Sequence, residues 1–394
     1  MQQKNGMFQY EKLPCIAQQY RYDAGIMATP PRKSPTALLR LKKLEVENYK
    51  RLDSLTLYFP GPQLDGDPDI LVLGSENGGG KTSVIECIGL LFLCILAPRT
   101  ERLFGESGWL TDLADLFIKS GCESCTIKGE FEIGTGSKEV NLKISRQAEI
   151  KISGDKDEIV KHWKRQQRWE DLTYPDEALT KLLGITGEPL IIPPLIHFNS
   201  SRKVQEGSID LGALAERSDP RARMAMSRNR LGGRPISTIS AFKTEMLASL
   251  LGQASLFEGM SASQSKATAE KLNELLLRYA GGKIDQLRNL KGGSIDFRVR
   301  REGSEDSFTF DALSSGQKEI VSTLFLIWRH SEENPAIVLI DEPELHLNAE
   351  WHADFVRQLT QLAPRNQYIL ATHSEHIFGS VDNEHRALLI PNKI

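Results

Sequence analysis

The residues best suited to chemistry lie between Ile70 and Cys87, in the run Ile-Leu-Val-Leu-Gly-Ser-Glu-Asn-Gly-Gly-Gly-Lys-Thr-Ser-Val-Ile-Glu-Cys. Four apolar residues, Ile70 to Leu73, pass without alternation into a glycine-rich turn, and the turn opens a helical pattern. A strand, loop and helix of this kind cradles phosphate. The glycines let successive backbone N–H groups curl around the oxygens, and the helix N-terminus adds its partial positive charge. The expected nucleotide-binding residues are Ser75, Glu76, Asn77, Gly78, Gly79, Gly80, Lys81, Thr82 and Ser83. Lys81 would reach the β- and γ-phosphates, and the Thr82 hydroxyl would bind Mg²⁺. Ser75 stands where the pattern G-x-x-x-x-G-K-[ST] has its first glycine, with Gly74 one place earlier.

Three more places could complete such a site. Leu313-Ser-Ser-Gly-Gln317 precedes an amphipathic helix carrying Ile320, Val321, Leu324, Phe325 and Trp328, so Ser314, Ser315, Gly316 and Gln317 form a second candidate anion site. Ile337 to Glu342 is a purely apolar run ending in two acids, as expected of a central parallel strand that presents carboxylates at a crevice. Asp341 would hold Mg²⁺ and Glu342 would orient or deprotonate an attacking water. Tyr368 to Ser374 is another apolar strand, ending in His373, which is placed to contact a γ-phosphate.

In order, S-E-N-G-G-G-K-T, L-S-S-G-Q, I-V-L-I-D-E and T-H-S resemble the Walker A, signature, Walker B and switch-histidine series of ABC-type ATPases. The opening Leu44 to Arg51 and the segment Asp341-Glu-Pro-Glu-Leu-His-Leu are similar to the SMC, RecF and OLD-nuclease group rather than to transporter subunits. The resemblance implies an α/β P-loop NTPase of ABC type, with a mixed central sheet, an antiparallel β lobe and an inserted helical lobe. It implies ATP and Mg²⁺ as cofactors, Glu342 and His373 as catalytic residues, and a homo-oligomer. In that oligomer Ser314 and Gly316 of one chain would complete the site formed by Lys81 and Thr82 of another. SMC proteins carry long heptad arms and OLD nucleases a nuclease domain, whereas only 21 residues follow His373. The expectation is an ATPase that scaffolds or senses for a separate effector, possessing no effector of its own. Such subunits recur in bacterial phage-defence systems that pair an ATPase with a nuclease, PARIS among them. A RecF-like DNA-binding repair ATPase is the alternative.

These residues must be positioned by a chain of 394 residues, long enough for a large core. A net charge of −3 means that any DNA contact would come from a local patch. Two stretches could supply one. Lys161 to Trp169 interleaves basic residues with two tryptophans, and could stack on nucleic acid or be an amphipathic helix with its tryptophans on the core. The interval Arg217 to Arg234 holds six arginines, and could be a contact loop for DNA or an acidic partner, or a solvated loop. Five scattered cysteines point to a reducing cytoplasm, and Cys122-x-x-Cys125 lacks the second pair that zinc would need. The longest apolar run, Ile88 to Ala97, has ten residues, about half of a membrane span.

The expected layout is an N-terminal arm (1–37), a first half of the ATPase core (38–100), and an antiparallel β lobe with an insert (101–189). A helical lobe with the arginine-rich loop (190–290) and the second half of the core (291–394) would follow. At the start of the former, Leu190 to Phe198 is an apolar strand candidate that delivers Asn199 to Arg202 toward the ligand crevice, as a stand-in for the Mg²⁺-contacting glutamine that the resemblance implies. Short alternating runs at Cys125 to Ile133, Val140 to Ile144 and Ile150 to Ile152 account for the β lobe. Ser263 to Tyr279 reads as a helix closed by Gly281 and Gly282, and a hairpin is expected over Ile295 to Arg300 and Phe308 to Phe310.

Overall fold

The computed structural model describes residues 39–389, apart from 63, 65, 76–77, 98–114, 135, 148, 167–174, 208, 211–239, 253–261 and 290–293. The expected N-terminal arm, Glu76, Asn77, Trp169 and the interval Arg217 to Arg234 lie outside the described residues.

The first half of the chain forms β1 (Leu39–Tyr49), β2 (Leu52–Tyr58), β3 (Asp69–Gly74), α1 (Lys81–Leu96), β4 (Ser124–Ile133), β5 (Gly136–Ser145) and β6 (Ile150–Gly154). Next come α2 (Lys156–Gln166), α3 (Pro175–Leu182), β7 (Leu190–Ile192), β8 (Leu195–Phe198), β9 (Ile209–Asp210), α4 (Ala241–Gly252) and α5 (Ala262–Ala280). The rest is β10 (Gly282–Asn289), β11 (Ser294–Arg301), β12 (Ser307–Thr309), α6 (Ser315–Ser331), β13 (Ile337–Asp341), α7 (Ala349–Leu362), β14 (Gln367–Thr372), α8 (Glu375–Gly379) and β15 (Arg386–Leu388).

The central sheet has the order β15-β3-β14-β13-β8-β7, parallel except for the edge strand β7. Its strands are apolar runs because both faces are covered. Leu71, Leu73, Ile337, Leu339, Ile369 and Ala371 face one core, and Ile70, Val72, Val338, Ile340, Tyr368 and Leu370 face the other. Helix α1 is apolar on nearly every side because it runs between this sheet and the antiparallel one, β2-β1-β4-β5-β6. On the other face lie α4 to α7 and a third sheet of β10-β11-β12, with β9 on β11.

The expected hairpin gains a third strand in β10, so Gly282 opens a strand, while Gly281 (φ +65°) ends the helix. Residues 190–198, an apolar strand candidate by sequence, pair into the central sheet as β7 and β8. In α2, Trp163 is 4% exposed and packs in the first core, so the core-facing reading holds for this tryptophan. Cys125 is buried in β4 and Cys122 lies in the turn before it. Among the described residues no group of three or more His, Cys, Asp or Glu side chains could hold a metal. No described helix is long and apolar enough to cross a membrane.

The Gln367 side chain joins the first two sheets. The β1 ladder is irregular between Leu41 and Lys43, and the Gln367 amide fills in for a strand there: Leu41 N–H donates to its Oε1 and its Nε2 donates to Leu41 O, both at 2.9 Å. Gln367→Leu would leave both buried backbone groups unpaired. It is expected to cost about 2–4 kcal/mol in urea unfolding, since each orphaned group costs about 1–3 kcal/mol; a loss below 0.5 kcal/mol would mean that the backbone finds other partners.

Candidate nucleotide site

The chemistry collects at the carboxyl ends of β3, β14 and β13. These three strands are adjacent and parallel, so their ends form one row, with Gly74 opposite Thr372 and Ala371 opposite Asp341. The loop after β3 needs its glycines, because Gly78 (φ +80°) and Gly80 (φ +89°) adopt the left-handed backbone that side chains disfavour. The turn between β1 and β2 lies over this loop: a Cβ on Gly80 would meet Leu52 at 2.6 Å, and one on Gly78 would meet the Arg51 guanidinium at 3.0 Å.

Lys81 opens α1, and its Nζ donates to Ser75 Oγ (2.8 Å), to Ser75 O (3.1 Å) and to His373 Nδ1 (3.3 Å). A serine in place of the usual first glycine therefore supplies a hydroxyl to the lysine. An ammonium has no acceptor, so Nδ1 must accept, and the ring proton sits on Nε2. That nitrogen is 3.7 Å from Glu342 Oε1. Burial lowers the Lys81 pKa, against the pull of Asp341, Glu342 and Glu344.

Asp341 is 2% exposed. Its Oδ2 accepts from the Thr82 hydroxyl at 2.9 Å, and its Oδ1 is buried without a hydrogen-bond partner. Burial pushes its pKa up to about 6, with the Thr82 hydrogen bond opposing. An orphaned carboxylate oxygen beside a hydroxyl, next to the glycine-rich loop before α1, fits a hard divalent cation such as Mg²⁺. Glu342 has φ +51°, and its N–H donates to Ala371 O at 2.7 Å.

Two further residues shape this site. Glu344 accepts from Thr372 Oγ1 (2.7 Å) and from His373 N–H (2.6 Å), so it clamps the loop that presents the histidine. The acid two places after Glu342 was the available signal. Arg202 is the other. The strand end Asn199 to Arg202 does not stand in for a Mg²⁺-contacting glutamine: Asn199 Nδ2 donates to Lys181 O, and Arg202 donates to Glu319 and to the carbonyls of Asp341 and Glu342.

The segment Ser314 to Gln317 behaves differently. Ser314 caps α6 in a reciprocal box: Gln317 N–H donates to Ser314 Oγ and Ser314 N–H to Gln317 Oε1, while Gln317 Nε2 donates to Tyr279 O at 3.1 Å. Ser314 and Ser315 are exposed. Gly316 is buried for a reason internal to the chain, since a Cβ there would meet His346 O at 2.3 Å. These contacts are with α5, α6 and the loop after β13, not with the loop of Lys81.

Behind Arg202 a cavity of about 20 Å³, room for one water, is lined by Glu188, Arg202, Glu319, Ser322 and Thr323 among others. Glu188 Oε2 accepts from Ala241 N–H at 2.8 Å, Oε1 has no partner, and burial pushes the pKa from 4.5 up to about 7. A carboxyl raised in the fold makes the native state bind more protons, so stability falls as pH rises from about 4.5 to about 7. Glu188→Gln is expected to gain about 1–3 kcal/mol at pH 8, and the gain should shrink below pH 5. A gain independent of pH in urea unfolding would mean that ionisation of Glu188 is not its source.

The fold is a mixed α/β one built on several sheets, and residues 186–378 match the family described as "AAA domain, putative AbiEii toxin, Type IV TA system". The match covers just under half of the chain, and the glycine-rich loop at residues 75–82 lies before the matched stretch. Over 111 residues the chain is 36% identical to the Retron Vc95 probable ATPase of Vibrio cholerae serotype O1 biovar El Tor, covering 26% of this chain and 21% of that protein, about a fifth of its length. Among solved structures it is similar to an SmcHead bound to the C-winged helix domain of ScpA (TM-score 0.49, 14% identity, 87% of this chain and 92% of that one). It is also similar to the SMC head domain from Thermotoga maritima (TM-score 0.44, 15% identity, 90% of this chain and 100% of that one).

Proposed function

We propose that this protein is an ATP-binding and ATP-hydrolysing switch that forms ATP-sandwiched homo-oligomers and holds a separate effector in bacterial anti-phage defence. The observation that carries the catalytic part is the convergence of Lys81, Thr82, Asp341, Glu342 and His373 on one row of strand ends. Lys81 and the N–H groups of Gly78 to Thr82 bind the phosphates, and Thr82 with Asp341 would hold Mg²⁺. When bound, that ion neutralises charge on the phosphate oxygens. Glu342 takes the proton of the attacking water, and His373, presented by Glu344, reaches the γ-phosphate through Nε2.

The oligomer is supported by the exposed hydroxyls of Ser314 and Ser315 at the N-terminus of α6, whose N–H groups suit an anion. Since, among the described residues, their contacts are with α5, α6 and the loop after β13, a second copy of the chain is the reading that uses them. Ser314→Arg is expected to block ATP-driven association, read by light scattering, while the monomer still binds nucleotide; assembly at wild-type level would count against the sandwich.

The defence role rests on the likeness to a retron ATPase. Its test is a pull-down of tagged Glu342→Gln protein from native cells with ATP, half of it nuclease-treated. One protein recovered from both halves is expected. DNA with attendant proteins, lost on nuclease treatment, would favour a DNA-repair ATPase.

A further inference from the structure

We propose that Arg202, held by Glu319, is a positioning residue that fixes the backbone of Asp341 and Glu342 and links α6 to the glutamate that takes the proton of water; this rests on the ATPase reading above. Arg202 is 4% exposed and Glu319 is 6% exposed. The guanidinium spends its donors on four acceptors. Nε donates to Glu319 Oε1, Nη1 to Asn199 O (3.0 Å) and Asp341 O (2.6 Å), and Nη2 to Glu342 O (2.9 Å).

The place of these bonds explains their purpose. Strand β8 pairs with β13 only as far as Phe198 opposite Ile340, so the carbonyls of Asp341 and Glu342 run past the end of their neighbour. Arg202, four residues beyond Phe198, extends the sheet with side-chain donors. Glu342 needs that support because its φ of +51° is a conformation that a non-glycine residue keeps only when its surroundings over-determine it. Ala371 O holds its N–H from one side and Arg202 holds its carbonyl from the other.

Glu319 lies one helical turn after Ser315 in α6, and its Oε1 also accepts from Thr323 Oγ1 at 3.3 Å. A shift of α6 therefore moves Arg202, and with it the Glu342 carbonyl, through close-packed atoms. The helix that bears the candidate second anion site is joined through one buried ion pair to the backbone carbonyl of Glu342.

The test uses the full chain with the pair replaced together, Arg202→Met with Glu319→Leu, because a buried ion pair removed as a unit often leaves stability intact where removal of one partner does not. Arg202→Lys serves as the second variant, since it keeps the charge but cannot reach both carbonyls. Expected in either variant are an affinity for a fluorescent ATP analogue within threefold of wild type, a kcat at least tenfold lower with KM little changed, and amide exchange at Glu342, Glu344 and Leu345 at least tenfold faster. Exchange at the wild-type rate would overturn the bracing, and faster exchange with normal kcat would overturn its link to Glu342. If the wild-type protein itself shows no turnover the ATPase reading fails, and the exchange rates still decide the bracing.

Discussion

Replacing Glu342 by glutamine is expected to leave ATP binding intact and to slow hydrolysis at least tenfold, a barrier increase of about 1.4 kcal/mol or more. A general base commonly contributes about 10²- to 10⁴-fold. The amide keeps the size of the carboxylate, and the backbone bonds of residue 342, to Ala371 O and from Arg202, do not involve the side chain. The fold and the φ of +51° should therefore persist. What disappears is the basic oxygen 3.7 Å from His373 Nε2. Single-turnover hydrolysis measured beside ATP-dependent assembly separates the steps: ATP-bound oligomers should accumulate in the variant. Normal hydrolysis would place the base elsewhere, and Glu344 is a poor substitute because both of its oxygens are engaged by Thr372 and the His373 N–H.

Lys81→Ala should abolish ATP binding at millimolar nucleotide. Hydrogen bonds to charged groups are worth about 1.5–3 kcal/mol each, so losing an ammonium that bridges two phosphates weakens binding by more than about 100-fold. The same change should not destabilise the nucleotide-free protein. Lys81 is 5% exposed, and burial lowers its pKa, so the unliganded fold holds its charge at a cost. The variant is expected to melt no lower than wild type while failing to gain stability from ATP. Calorimetric titration and a thermal melt with and without nucleotide check both halves, and near-normal turnover would remove Lys81 from the phosphate site.

The sequence by itself determined the local units of the candidate site. Each is local: an apolar run becomes a buried strand, the glycines at 78 and 80 permit the left-handed turn, and the reactive residue sits at the strand end where the chain leaves the sheet. The antiparallel lobe was legible in the same way, from alternating runs at β4, β5 and β6. Trp163 was open to two readings because a helix interleaving basic and aromatic residues has the same pattern whether its rings meet bases or a core.

Only the tertiary structure decided which strand ends meet. The order β3-β14-β13-β8 sets Lys81 against His373 and Thr82 against Asp341, and it carries Arg202 past the end of β8 onto the carbonyls of Asp341 and Glu342. Gly316 against His346 O and Gln367 against Leu41 have the same character. Hydrogen bonds between residues far apart in the chain depend on the register of strands and helices that neither partner's neighbours encode. A side chain bonded to distant backbone carbonyls leaves no periodicity and no motif, so Arg202 looks in the sequence like any arginine after a strand.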